Sequence, residues 1–137
     1  MNPSQPASGS QKARRALLVD DDKFMLVVVG DLLGELGVTG ITTAANGAAA
    51  IEAYERSASK PDVVLCDLNM PVSDGFQLME KLGEKGYAGG IVLFSGMNDR
   101  TLNSASLMAK FHRLQYLGTL KKPVEKAALG AALARLA

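Results

Sequence analysis

The sequence predicts a doubly wound α/β domain, with a five-stranded parallel sheet and helices on both faces. Two observations lead there. Five short apolar segments alternate with stretches of helical character along one chain of 137 residues, the pattern of a parallel sheet crossed over by helices. Three of those segments, Ala16-Leu17-Leu18-Val19, Val63-Val64-Leu65-Cys66 and Ile91-Val92-Leu93-Phe94, are apolar throughout, as strands covered on both sides must be.

Ala16–Val19 is the first predicted strand. Lys23–Leu36 places its apolar residues at helical spacing, and Gly37 can end that helix. A Thr-rich strand follows at Gly40–Ala44, then the Asn46-Gly47 turn and an Ala-rich helix over Ala48–Ser57. Lys60-Pro61 breaks the chain ahead of the third strand, Val63–Cys66. Pro71 and Gly75 are expected to bracket a loop, with a helix over Phe76–Lys85. Ile91–Phe94 is the fourth strand, Arg100–His112 a weaker helix, Tyr116–Leu120 the fifth strand and Val124–Ala137 the closing helix. Neither a repeat nor an internal linker interrupts this order, and the length suits one core. Residues 1–15, rich in Pro, Ser, Gly and Gln with Lys12, Arg14 and Arg15, read as a flexible tail or a basic docking arm, and 16–137 as the domain.

Composition removes several function classes. Lys and Arg total 15 against 14 Asp and Glu, so charge offers no support for direct nucleic-acid binding. No apolar run reaches the roughly 18 residues of a membrane span, and the first fifteen residues lack the apolar core of a secretory signal. Cys66 is the single cysteine and has no internal partner for a disulfide, which fits a cytoplasmic location.

The polar residues concentrate at strand ends. Asp20-Asp21-Asp22 follow the first strand, Asp67 the third, Ser95-Gly96 the fourth and Lys121-Lys122-Pro123 the fifth. Open α/β sheets bind ligands outside the carboxyl ends of their strands, so one crevice receives carboxylates, a hydroxyl and an ammonium. Two carboxylates about 4 Å apart repel by on the order of 4 kcal/mol at an effective dielectric near 20. A hard cation with oxygen ligands relieves that repulsion, and Mg²⁺ uses one or two carboxylates with waters and a phosphate. Acids, metal and lysine together equip a site for phosphoryl transfer, with an aspartate as a feasible nucleophile.

Each residue also has a plainer reading. Asp22 stands where a helix N-cap is needed and is set aside from the metal site. Asp20 and Asp21 read equally as solvated strand-end charges, Asp67 as a loop carboxylate and Ser95 as a turn residue. Lys121 reads as a surface charge, and His112, the lone histidine, as structural or exposed rather than as a phosphorelay group.

Leu18-Val19-Asp20-Asp21-Asp22, Asp67-Leu68-Asn69-Met70-Pro71-Val72-Ser73-Asp74-Gly75, Ser95-Gly96 and Lys122-Pro123 resemble the motifs of two-component response-regulator receiver domains. The resemblance runs from about Ala16 to Ala137 and implies a flavodoxin-like sheet with strand order 2-1-3-4-5. It implies that Asp67 is the phosphoacceptor and that Asp21 is the main ligand of Mg²⁺, with Mn²⁺ as a substitute. Asp20 would join directly or through water, Asp67 itself would contribute, and Asn69 would add its backbone carbonyl. Ser95 would hydrogen-bond the phosphoryl group, Gly96 would keep the approach open, and Lys122 would pair with a phosphoryl oxygen. A cis Lys122-Pro123 bond is also implied, at the modest cost X-Pro bonds allow. One departure stands out. The position that carries a switch Tyr or Phe in many receivers is Thr119 here, and Tyr116 is nearby in sequence but out of register.

The resemblance implies a signalling switch phosphorylated by a sensor histidine kinase or phosphotransfer protein, with no turnover of an external substrate. Its output protein or output domain is unidentified in the sequence. A degenerate receiver acting as a phosphorylation-independent interaction module is the first alternative, and the intact acids and lysine argue against it. A phosphatase of haloacid-dehalogenase-like type is the second. Such enzymes use an Asp-x-Asp pattern followed by Thr, and Asp22-Lys23-Phe24-Met25 lacks that Thr.

Overall fold

The computed structural model describes residues 13–68, 72–96, 108–110 and 112–136. Its elements run β1 Arg15–Val19, α1 Lys23–Glu35, β2 Gly40–Ala44, α2 Gly47–Arg56, β3 Val63–Asp67, α3 Val72–Glu84, β4 Gly90–Ser95, β5 Gln115–Lys121 and α4 Lys126–Leu133. All four strand pairings are parallel, and the order across the sheet is β2-β1-β3-β4-β5. The expected doubly wound architecture is therefore present. Of the expected helix Arg100–His112, the helical residues 108–110 lie within the described part.

Side chains alternate between the faces of a strand, and two core clusters follow from that alternation. Leu17, Val64, Cys66, Ile91 and Leu93 pack on one face with Ala50 and Tyr54 of α2 and Leu78, Met79 and Leu82 of α3. Leu18, Val63, Leu65, Val92 and Phe94 pack on the other with Val29 and Leu33 of α1 and Leu129, Ala132 and Leu133 of α4. β3 and β4 are buried from end to end, which is why their sequences show no polar face.

Local signals set most boundaries. Asp22 caps α1 by accepting from the Phe24 amide at 2.9 Å, as its position before the helix suggests. Asn46 does the same for α2, accepting from the Ala49 amide at 2.8 Å, so Asn46-Gly47 is a helix entry rather than a free turn. The expected loop between Pro71 and Gly75 is corrected: α3 already runs from Val72, with Gly75 inside it. Proline suits the start of a helix, so Pro71 does not delay one. β1 and β5 each open one residue before their expected start, at Arg15 and Gln115. Arg14 and Arg15 donate their amides to the Asp62 carboxylate at 2.8 and 3.0 Å.

The fifth strand holds the main departure. Ile91 pairs with Tyr116, Val92 with Gly118 and Leu93 with Thr119, so Leu117 is an extra residue. Such a bulge shifts the alternation by one. Tyr116 and Thr119 consequently share a face although they stand at different positions of the ladder, opposite Ile91 and Leu93, so Tyr116 remains out of register with Thr119. Its hydroxyl lies 2.6 Å from the Thr119 hydroxyl.

We expect Leu65→Ala, at a fully buried position of the central strand, to cost about 2–5 kcal/mol. Asn46→Ala removes only a cap and should cost about 1 kcal/mol. Urea unfolding of the two variants checks the ranking; equal losses would contradict this account of the core.

Candidate functional site

The site lies at the carboxyl end of the sheet, where chain connections leave β1 and β3 toward opposite sides. A crevice forms at such a point because neighbouring loops diverge. Asp20 directly follows β1, and its amide donates to the Ala44 carbonyl at 3.0 Å, tying it to the end of β2. Asp67 is the last residue of β3. Ser95 ends β4. Lys122 follows β5 and donates its amide to the Ser95 carbonyl at 3.0 Å. The Lys122-Pro123 bond is cis, as the motif led us to expect.

These backbone ties bring the charged groups together. Carboxylate oxygens of Asp20, Asp21 and Asp67 all lie within 4.8 Å of one another. The Lys122 ammonium stands 2.9 Å from Asp67 Oδ2 and 3.6 Å from Asp20 Oδ2. Asp20 and Asp67 are each only 1% exposed, whereas Asp21 faces solvent. Among the described residues, three acids thus face one ammonium. Counted over the described residues, the carboxylates outnumber the ammonium around a largely buried pair.

Asp20 registers that strain. Burial, reinforced by the neighbouring Asp67 carboxylate, pushes its pKa up to about 6. The Asp22 amide, donating to Asp20 Oδ1 at 2.9 Å, and the Lys122 charge pull the other way without cancelling the rise. Desolvation disfavours the charged form of an acid, and a like charge adds to it. A cluster of hard oxygen donors with uncompensated charge is the donor set that suits Mg²⁺ or Mn²⁺.

Of the residues singled out in the sequence, Asp20, Asp21, Asp67 and Lys122 converge, and Ser95 joins through the Lys122 amide. Asn69 lies outside the described residues. Asp22 is occupied as a cap, and Lys121 is exposed. His112 is half-buried. Thr119 pairs with Leu93, two residues before Ser95. Two neighbours escaped the sequence reading: the Tyr116 hydroxyl on Thr119, and Arg135, whose guanidinium donates to the Leu117 carbonyl at 2.6 Å. Gly118 inside a strand was the available signal, since an interior glycine often marks a bulge. A groove of about 420 Å³ lined by Arg15, Thr39, Tyr54 and Ser57 sits at the other end of the strands, away from these acids.

Residues 16–134 match the response regulator receiver domain family. The chain belongs to that family. This receiver domain is 32% identical over 90 residues to the Bacillus subtilis chemotaxis protein CheY, covering 66% of this chain and 73% of that protein. It is 37% identical over 90 residues to the Escherichia coli nitrate/nitrite response regulator NarL, covering 65% of this chain and 41% of NarL. Against the protein-glutamate methylesterase/protein-glutamine glutaminase of Natronomonas pharaonis the match is 44% over 62 residues, 45% of this chain and 17% of that protein. The receiver domain therefore spans only part of several of these relatives. In fold it resembles Vibrio cholerae CheY4, with a TM-score of 0.74 at 24% identity over 90% of this chain and 98% of that one. It also resembles a chain of the CheX-CheY-BeF3-Mg complex of Borrelia burgdorferi, at 0.73 and 21% over 87% and 85%. The receiver domain is part of a two-component system, and its acidic pocket of Asp20, Asp21 and Asp67 fits phosphorylation. Among the described residues, no helix is long and apolar enough to cross a membrane.

A pH dependence follows for the metal-free protein. Asp20 has a pKa raised from 3.8 to about 6, so the folded state holds its proton over a range where the unfolded chain has lost it. Its stabilising contribution is full below pH 4 or so and is lost as pH rises through about 6. Asp20→Asn should therefore gain stability over wild type as pH climbs from about 4 to 7, by on the order of 2–3 kcal/mol. Denaturant melts of both proteins across that range test it; a gain that shrinks with rising pH would contradict the assignment.

Proposed function

We propose that this receiver is a phosphorylation-dependent, cytoplasmic signalling switch that takes one phosphoryl group on Asp67 from a histidine kinase or phosphotransfer protein. Residues 16–137 act as the single receiver domain, and an output protein or domain reads its state. No external substrate is turned over, and neither nucleic acid nor membrane is bound directly. The observation that carries this reading is the Lys122 ammonium 2.9 Å from Asp67 Oδ2 inside a buried acidic crevice.

The chemistry needs few parts. An Asp67 carboxylate oxygen attacks phosphorus, the bond from phosphorus to the donor breaks, and the leaving atom keeps the electron pair. Asp67 becomes an acyl phosphate. Lys122 already stands on Asp67 and offsets the charge on the transferring oxygens. The Ser95 hydroxyl donates to one of those oxygens, and Gly96 leaves room beside it. A divalent cation, Mg²⁺ or Mn²⁺, would supply further positive charge there. Asp21 would be its main ligand, with Asp20 bound directly or through water, an Asp67 oxygen and the Asn69 carbonyl.

We expect acetyl phosphate to add one phosphoryl group per chain, only with Mg²⁺ present, as read by intact mass. A full mass gain in Asp67→Asn would rule this site out. No gain in wild type would favour the phosphorylation-independent module instead. Lys122→Ala should lose stability, because the buried carboxylates lose their ammonium, yet stay folded with Mg²⁺ bound and respond weakly to phosphorylation.

Metal titration gives a separate test. Asp21→Ala should lose Mg²⁺ binding because the one exposed carboxylate of the cluster is gone. Equal affinities in variant and wild type would remove Asp21 from the ligand set.

A further inference from the structure

β5 is held at two points, one on each side of Gly118. At the site end, Lys122 places its ammonium on Asp67 and its amide on the Ser95 carbonyl. Lower down, Arg135 of the chain's closing segment holds the Leu117 carbonyl at 2.6 Å. Gly118 lies between them with φ at +134°, and a Cβ there would come 2.9 Å from the Arg135 guanidinium. That conformation belongs to glycine. Gly118 is therefore the natural pivot between a clamped lower half and a site-bound upper half.

The Tyr116–Thr119 hydroxyl bond spans that pivot. Tyr116 sits below the clamped carbonyl and Thr119 above it, on one face because of the extra Leu117. Tyr116 also packs against the cluster that contains Ile91, Leu93, Ala109 and Leu114. Phosphorylation would place a group of roughly −1.5 to −2 charges on Asp67, and Lys122 must follow its oxygens. Any shift of the Thr119–Lys122 half against the clamped bulge changes the 2.6 Å hydroxyl contact. A hydrogen bond does not survive stretching by about 1 Å.

We propose that the Tyr116–Thr119 pair, positioned by the Arg135 hold on the Leu117 bulge, is a latch that opens on phosphorylation and reports it to the sheet face around Ala109. The proposal rests on Asp67 as phosphoacceptor. The latch closes the unphosphorylated form, so removing it favours the other state. A ligand shifts such an equilibrium only by its differential affinity for the two states.

Beryllofluoride with Mg²⁺, followed by NMR, reads the latch, and intact mass after acetyl phosphate reads the site independently. In wild type, saturation should shift the Tyr116 ring and Thr119 signals along with the Ser95 amide. Tyr116→Phe should accept the phosphoryl group normally and bind beryllofluoride about 2- to 10-fold tighter, the weight of one hydrogen bond. Arg135→Ala should keep the Ser95 shift and lose the Tyr116 shift, and Arg135→Lys should restore part of it. If Arg135→Ala does not fold, the Tyr116→Phe titration decides. Labelling with a Ser95 shift but unchanged Tyr116 and Thr119 signals overturns the latch, as does equal affinity in Tyr116→Phe and wild type. Absence of labelling in wild type overturns the phosphoacceptor reading and the latch with it.

Discussion

Two carboxylates at 1% exposure share a crevice here with a third at its rim, and among the described residues one ammonium reaches the buried pair. Buried charge is tolerated only when paired and hydrogen-bonded. Lys122 supplies the pairing and the Asp22 amide the hydrogen bond. Even so, Asp20 remains displaced to a pKa of about 6, so compensation is incomplete. The rest of the fold can be understood as the framework that holds these groups close despite their repulsion. A site with residual negative charge is poised for cations and for reactions that let its charges be shared.

That framework is the parallel sheet. Its strands point their carboxyl ends the same way, so residues remote in sequence, Asp20, Asp67, Ser95 and Lys122, meet at one edge. Backbone ties between neighbouring ends, Asp20 to Ala44, Leu68 to Phe94 and Lys122 to Ser95, fix the relative heights of those residues. Helices on both faces bury β3 and β4 completely. Loss of core packing under Asp67 would release the repulsion that the sheet restrains, which couples stability to site geometry.

The same burial made much of this legible in the sequence. Val63–Cys66 and Ile91–Phe94 had to be apolar on both faces, and the first polar residue after each marks the crevice. Asp22 and Asn46 announced helix starts through their side-chain chemistry. The start of α3 is less legible, because Pro71 and Gly75 are both loop-forming residue types, yet proline is compatible with a first turn and Gly75 sits inside the helix. The bulge was missed for a deeper reason. Strand alternation assigns faces by counting residues, and one inserted residue reverses every face beyond it. Gly118 was the visible warning, but its partner Arg135 lies 17 residues further along the chain, beyond what local patterning can connect.

β5 thus has two roles that meet in one strand. Its last residues deliver Lys122 to the acids, and its extra residue turns Tyr116 toward Thr119. A regular strand would carry out the first role alone and would leave Tyr116 on the opposite face. Retaining a bulge costs ladder pairing at Leu117, which the Arg135 guanidinium offsets by satisfying that carbonyl. On the latch proposal, the reciprocity of binding free energies requires that a change in the hold of Arg135 on the bulge also change the affinity of the acidic crevice for its ligands. On that proposal the segment after α4 would act on the acidic crevice through β5, since among the described residues Arg135 reaches Leu117 of β5 and not the acids.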